Sequence, residues 1–73
     1  GVEVTSLKKS KTGDLAFFGK KNNVITHVGI IISTNKIIHS SGMVRIDKIN
    51  DDGIFHPDSK EISHDLKLIR RII

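Results

Sequence analysis

The stretch "VITHVGIIISTNKIIHSS", residues 24–41, decides the fold of this chain. Residues 24–33 are rich in β-branched side chains, which favour a strand over a helix. The polar "STN" that follows predicts a turn, and "KIIHSS" (36–41) then returns antiparallel. A tight turn at Thr34 and Asn35 is slightly favoured, because asparagine tolerates the left-handed conformation. The sequence therefore predicts a β-hairpin at the centre of the chain.

Three further strands are predicted around this hairpin, each an apolar or alternating run bounded by polar or Gly residues. They are "DLAFFG" (14–19), "MVRIDKI" (43–49) and "DLKLIRRII" (65–73). Residues 50–64 predict a long polar loop, from which Ile54 and Phe55 return to the core. No amphipathic helix is predicted, so the expected fold is mainly β, a curled antiparallel sheet of about five strands.

A sheet of this size must have its apolar face covered. Either the sheet curls into a small barrel, or covering helices come from elsewhere and residues 1–73 form half of a domain. The second alternative leaves an apolar face around Ile30, Ile32 and Ile38 exposed. Such a face, with open strand edges, would favour self-association of the sheet.

Composition excludes several classes of function. The chain has 73 residues, enough for one small domain, and a formal charge of +4. The lysines are scattered and few aromatic residues lie among them, so we expect no nucleic-acid partner. No apolar run approaches the roughly 20 residues of a membrane span. The chain contains no cysteine, which removes disulfides, thiolate metal sites and a thiol nucleophile together.

Histidine and serine are the remaining candidates for chemistry. The four histidines, His27, His39, His56 and His64, are spaced by 12, 17 and 8 residues. This spacing fits no compact zinc pattern, so we expect no metal site. Ser40 and Ser41 lack the Gly-x-Ser-x-Gly elbow of a serine nucleophile, and they are interpreted as strand-end hydroxyls that could contact substrate.

Three motifs in order carry a family resemblance: "GDLAFFG" (13–19), "THVGIII" (26–32) and "KIIHSSGMVRI" (36–46). They resemble the C-terminal half of the NlpC/P60 family of bacterial cell-wall cysteine peptidases. The resemblance implies that residues 1–73 are the sheet half of a papain-like α+β domain, and that the helical half with its cysteine is missing. The "IHSSG" version is similar to the branch that cleaves γ-D-glutamyl-diamino acid bonds.

By the same resemblance, His27 matches the catalytic base and His39 the polar residue that orients it. A cysteine thiolate needs a nearby imidazole to take its proton and later to protonate the leaving amine. Gly13 and Asp14 match a position that we interpret as structural. The spacing of His27 and His39 alone favours the interpretation that they cap strands and bond to the backbone, whereas the flanking motifs favour the catalytic roles.

The implied function is hydrolysis of peptidoglycan stem peptides or muropeptides, without a cofactor, in the cell envelope, periplasm or outside the cell. Since this chain has no cysteine, we expect it to be inactive alone. The alternative is a non-catalytic, small basic β-barrel that binds wall polymer, peptide or nucleic acid.

The two histidines can cooperate only on one face of the hairpin. Direct pairing of His27 with His39 requires an odd-numbered loop centred on Ser33. The tight turn at Thr34 and Asn35 instead places them on opposite faces, unless a bulge shifts the register. We expect a common face, with the rings joined by a direct or water-bridged hydrogen bond.

Overall fold

Antiparallel strands account for most of the chain, as its isoleucine- and valine-rich runs predict. The computed structural model describes residues 2–20, 24–56 and 58–72, and within these ranges it contains no α-helix. The strands are β1 (Val2–Val4), β2 (Leu15–Gly19), β3 (Ile25–Ser33), β4 (Lys36–Ser41), β5 (Met43–Asn50), β6 (Gly53–Phe55) and β7 (Ile62–Arg71). A short 3-10 helix, Leu7–Lys9, lies between β1 and β2.

Six of these strands close into an antiparallel barrel in the order β7-β2-β3-β4-β5-β6, with β6 pairing back onto β7. Strand β1 adds to the sheet by pairing with the end of β7. Closure pairs strand edges that an open sheet would leave free. The sheet therefore covers its own apolar face by curling into a small barrel, the first of the two alternatives.

The barrel interior is filled by aliphatic side chains and one phenylalanine, because alternate residues of each strand point inward. The buried apolar residues are Val4, Leu7, Ala16, Phe18, Ile31, Ile37, Ile49, Ile54 and Ile69. The predicted return of Ile54 to the core is confirmed, whereas Phe55 is only half-buried. One end of the same interior receives polar side chains, which form the site described below.

The five predicted strands are present, and the mainly β prediction is confirmed. Two short strands, β1 and β6, were not predicted, because three residues are too few to show alternation. Strand β6 lies inside the predicted loop 50–64. Strand β7 begins at Ile62, earlier than predicted, because "ISH" pairs with β6 although it is not apolar.

The outer surface of the barrel carries a broad apolar face. Val28 and Ile30 on β3 are 48% and 47% exposed, and Val44 and Ile46 on β5 are 71% and 61% exposed. The predicted exposed face is therefore present, on the outside of a closed barrel, although Ile32 and Ile38 are half-buried. Self-association through this face stays a prediction.

An ion pair joins the start of β2 to the end of β7. Both Asp14 carboxylate oxygens accept hydrogen bonds from Arg71, at 3.0 Å from Nε and 2.9 Å from Nη2. The backbone N–H of Lys11 donates to the same carboxylate at 2.8 Å. The hydrogen bonds from Arg71 lower the pKa of Asp14, although its burial opposes this. This arrangement accords with the structural role predicted for Asp14.

Candidate functional site

His27 and His39 meet inside one end of the barrel. Nε2 of His27 lies 2.8 Å from Nδ1 of His39, a hydrogen-bond distance. The two rings are nearly perpendicular, with centroids 5.0 Å apart. His39 is buried and His27 is half-buried. The predicted common face and direct hydrogen bond are both confirmed.

A bulge in the central hairpin brings the two rings to the same face. Ser33 pairs with Lys36 across a two-residue turn, and the register then shifts by one residue between Ile31 and Ser33. As a result Gly29, rather than Ile30, lies opposite His39. His27 is two residues from Gly29, so its side chain is the diagonal neighbour of His39 on the inner face. The favoured tight turn is therefore present, together with a bulge that restores the common face, and the odd-numbered loop is not formed.

Gly29 leaves the space that the site needs. A Cβ atom at this position would lie 2.6 Å from Cδ1 of Ile37 and 3.1 Å from Cβ of His39. Any side chain there would displace the buried Ile37 or the His39 ring. The absence of a side chain therefore lets His39 lie against β3 and reach His27.

Asp47 on β5 holds the far side of the His39 ring. Its Oδ2 lies 2.7 Å from Nε2 of His39, and Arg45 Nε lies 3.1 Å from the same oxygen. Burial raises the pKa of Asp47, but the hydrogen bonds from His39 and Arg45 outweigh this effect and the pKa is lowered overall. Asp47 is therefore an ionised carboxylate at neutral pH.

His64 on β7 adds a third imidazole to the site. Its ring stacks on that of His27, with centroids 4.2 Å apart and planes 26° apart. Ser63 Oγ lies 3.0 Å from its Nδ1. The ring of Phe18 packs against His27 from β2, at a centroid distance of 5.7 Å. The base candidate is thus held between an aromatic core residue and a second histidine.

Sequence reasoning missed the roles of Asp47 and His64. On β5 the signal for Asp47 comes from Ile49, which shares its phase and is buried. The apolar Val44 and Ile46 of the other phase indicate the opposite face, although they are exposed. For His64 we find no comparable signal, since its place beside His27 depends on closure of the barrel.

Burial, with the neighbouring His64 and His39, lowers the pKa of His27. Burial and His39 likewise lower the pKa of His64, against a smaller opposing effect of Asp47. Both rings are therefore neutral at neutral pH. A neutral, half-buried imidazole is the form that accepts a proton from a nucleophile.

These lowered pKa values predict that the fold loses stability as the pH falls below about 6.5, the ordinary histidine value. The unfolded chain takes up protons at His27 and His64 before the folded chain does, so acid favours unfolding. Urea unfolding at pH 7.5 and 5.5, at constant ionic strength, measures the effect. Replacing both histidines by glutamine should flatten the pH dependence. A free energy of unfolding that rises toward pH 5.5 would contradict the assignment.

Ser40, one of the two predicted substrate serines, is not brought to the histidine pair. Ser40 is exposed and follows His39 in β4, so it lies on the opposite, outer face of the strand. The side chain of Ser41 lies outside the described part of the structure. Contact of either serine with substrate stays a prediction.

Neither a metal site nor a membrane-spanning helix is found in the described part of the chain. Among the residues that the structure describes, no group of three histidine or carboxylate side chains is arranged to hold a metal ion. In those same ranges no helix has the length and apolar character to cross a membrane.

Comparison with known protein families shows what the chain is similar to. A model of the NlpC/P60 family matches residues 1–61, a range that includes His27, His39 and Asp47. Strand β7, with His64, lies beyond the matched range. No curated protein and no solved structure matches the chain.

Proposed function

This chain belongs to the NlpC/P60 family, whose members are cysteine hydrolases, and from that premise we propose that it is the sheet half of a cell-wall cysteine peptidase. The observation that carries the proposal is the row of hydrogen-bonded side chains His27–His39–Asp47. Its arrangement follows the logic of a catalytic triad, in which a base is oriented by a second polar group. His27, at the end of the row, is the base.

The reaction assigned to this geometry is acyl transfer through sulfur. Neutral His27 takes the proton of a cysteine thiol, and the thiolate attacks the carbonyl carbon of a peptide bond. The His27 imidazolium then returns the proton to the leaving amine as the C–N bond breaks. Water, deprotonated by the same ring, hydrolyses the thioester and regenerates the thiol.

The thiol must come from a segment outside these 73 residues, because the chain contains no cysteine. In this proposal that segment places its cysteine next to His27, and His39 contacts the side of the His27 ring that faces away from the cysteine. The chain alone then has the base and its orienting group but no nucleophile.

The proposed substrate is a peptidoglycan stem peptide or muropeptide, cleaved at a γ-D-glutamyl-diamino acid bond. The "IHSSG" motif and the family assignment support this choice. A net charge of +4 would also favour approach to anionic wall polymer. The corresponding place of action is the cell envelope, the periplasm or the exterior.

Turnover of a γ-D-glutamyl-diamino acid peptide tests the proposal in two forms of the protein. The 73-residue chain should give no hydrolysis. The chain joined to the segment encoded directly upstream of Gly1 should hydrolyse the peptide, and replacing the cysteine of that segment by serine should abolish the activity. Hydrolysis by the chain alone, blocked by a serine-directed reagent, would overturn the assignment and indicate Ser40 or Ser41.

A non-catalytic binding module is the second candidate, and the closed barrel favours it. A barrel that covers its own core has less need of a helical half than an open sheet would. The same experiment separates the two: binding of wall peptide without turnover in the joined protein supports the module.

A further inference from the structure

Three polar side chains from adjacent strands form a continuous row across the barrel end. His27 on β3, His39 on β4 and Asp47 on β5 are joined at 2.8 Å and 2.7 Å. The side chain of His39 is 2% exposed and that of Asp47 is 10% exposed. Because His39 and Asp47 are largely withdrawn from water, their polar side-chain atoms must be satisfied by hydrogen bonds within the protein.

The ionised carboxylate fixes the direction of every hydrogen bond in the row. A carboxylate only accepts, so Nε2 of His39 must carry a proton and donate to Asp47. With one proton on the His39 ring, its Nδ1 is then an acceptor, and Nε2 of His27 must donate to it. A neutral His27 that carries its proton on Nε2 has its lone pair on Nδ1.

We propose that Asp47 is a positioning residue that sets the tautomers of both histidines, so that Nδ1 of His27 is the nitrogen that accepts the thiol proton. The inference rests on the proposed function for its catalytic meaning, but the tautomers themselves are a property of this chain. Asp47 acts through His39 and does not touch the reacting atoms.

The position of Arg45 predicts how the histidine tautomers change when Asp47 is replaced. It lies directly across from His39 in the β4–β5 pair and contacts both carboxylate oxygens of Asp47, with Nε at 3.1 Å from Oδ2 and Nη2 at 3.3 Å from Oδ1. A guanidinium only donates hydrogen bonds. Without Asp47, Arg45 would be left beside Nε2 of His39 and would favour a lone pair on that nitrogen. Asp47 therefore separates His39 from a group that would impose the opposite tautomer.

The test is the 15N NMR spectrum of the histidine rings in the 73-residue chain at pH 7.5. Wild type should show Nε2 protonated and Nδ1 unprotonated in both His27 and His39. In Asp47→Ala both rings should change to the opposite tautomer, with the proton of His27 on Nδ1. The double variant Asp47→Ala/Arg45→Ala should lose this preference and show a mixture of tautomers.

Asp14→Ala is the matched control, because it removes a buried carboxylate that, like Asp47, is paired with an arginine. It should destabilise the fold but leave the histidine spectra as in wild type. A folded Asp47→Ala variant with wild-type tautomers would overturn the proposal. If that variant does not fold, the wild-type spectrum still decides, since protonated Nδ1 in His27 would overturn it without any mutation.

Activity supplies a second readout in the chain joined to the upstream cysteine segment. Asp47→Ala should lower kcat at least tenfold and leave KM within about twofold, because substrate binding does not involve the row. The double variant with Arg45→Ala should recover part of the lost kcat. If the joined protein shows no turnover at all, the proposed function fails, whereas the tautomer assignment is still judged by the spectra. An Asp47→Ala enzyme with wild-type kcat would contradict the positioning role.

Discussion

Replacing His27 by glutamine in the joined, cysteine-containing protein should lower kcat by about a thousandfold, with little change in KM. Glutamine can keep a hydrogen bond to His39 but cannot accept a proton at neutral pH. The thiol would then ionise only to the small extent set by its ordinary pKa of about 8.5. Steady-state hydrolysis of the γ-D-glutamyl-diamino acid peptide at pH 7.5 measures the loss.

His56→Gln serves as the control for this substitution, because His56 lies in the turn after β6 and its Nδ1 accepts hydrogen bonds from the backbone N–H groups of Asp58 and Ser59. That variant should retain kcat within about twofold. A His27→Gln enzyme as active as the His56→Gln control would rule out His27 as the base.

Gly53→Ala should lower the free energy of unfolding by about 3 kcal/mol. Gly53 has φ of +153°, a conformation that side chains disfavour, and a Cβ there would overlap the backbone carbonyl of His64. Because the added Cβ would overlap backbone atoms, the overlap can be removed only if β6 moves away from β7. That movement would disrupt the strand pairing that closes the barrel. Urea unfolding followed by circular dichroism measures the change.

Gly42→Ala separates the two causes of this loss. Gly42 also has positive φ, at +78°, but a Cβ there would meet no atom within 4 Å. The expected cost is about 1 kcal/mol, from the backbone conformation alone. If the two variants lost equal free energies of unfolding, the overlap with the His64 backbone at Gly53 would contribute nothing to the loss.

The sequence was sufficient for those parts of the fold that depend on local pattern. The β-branched run of β3 and the turn at Thr34 and Asn35 are local features, and both were predicted correctly. Whether the sheet would close could not be predicted, because closure depends on Gly53–Phe55, three residues within a polar segment. The pairing of β6 with β7 involves partners up to 12 residues apart and leaves no periodic signal in either strand.

The candidate site was predictable to a similar degree. The motifs around His27 and His39 indicated the pair and a common face, but an odd-numbered loop and a bulge remained alternative ways to reach it. Asp47 was not assigned to the site, because the pairing of Arg45 with His39 emerges only from the register of β4 and β5. His64 reaches His27 from the far end of the chain, through a strand neighbour that only the closed barrel provides.

The bulge between Ile31 and Ser33 ties the position of the base to the stability of the whole barrel. His27, Gly29 and Ile31 alternate along one strand, so they occupy the inner face together or not at all. If Ile32 instead paired regularly with Ile37 and the bulge disappeared, His27 would turn outward, but the fully buried Ile31 would be expelled into water as well. A lineage that kept a stable core would therefore have kept the base inward as well, even through generations in which no selection acted on catalysis.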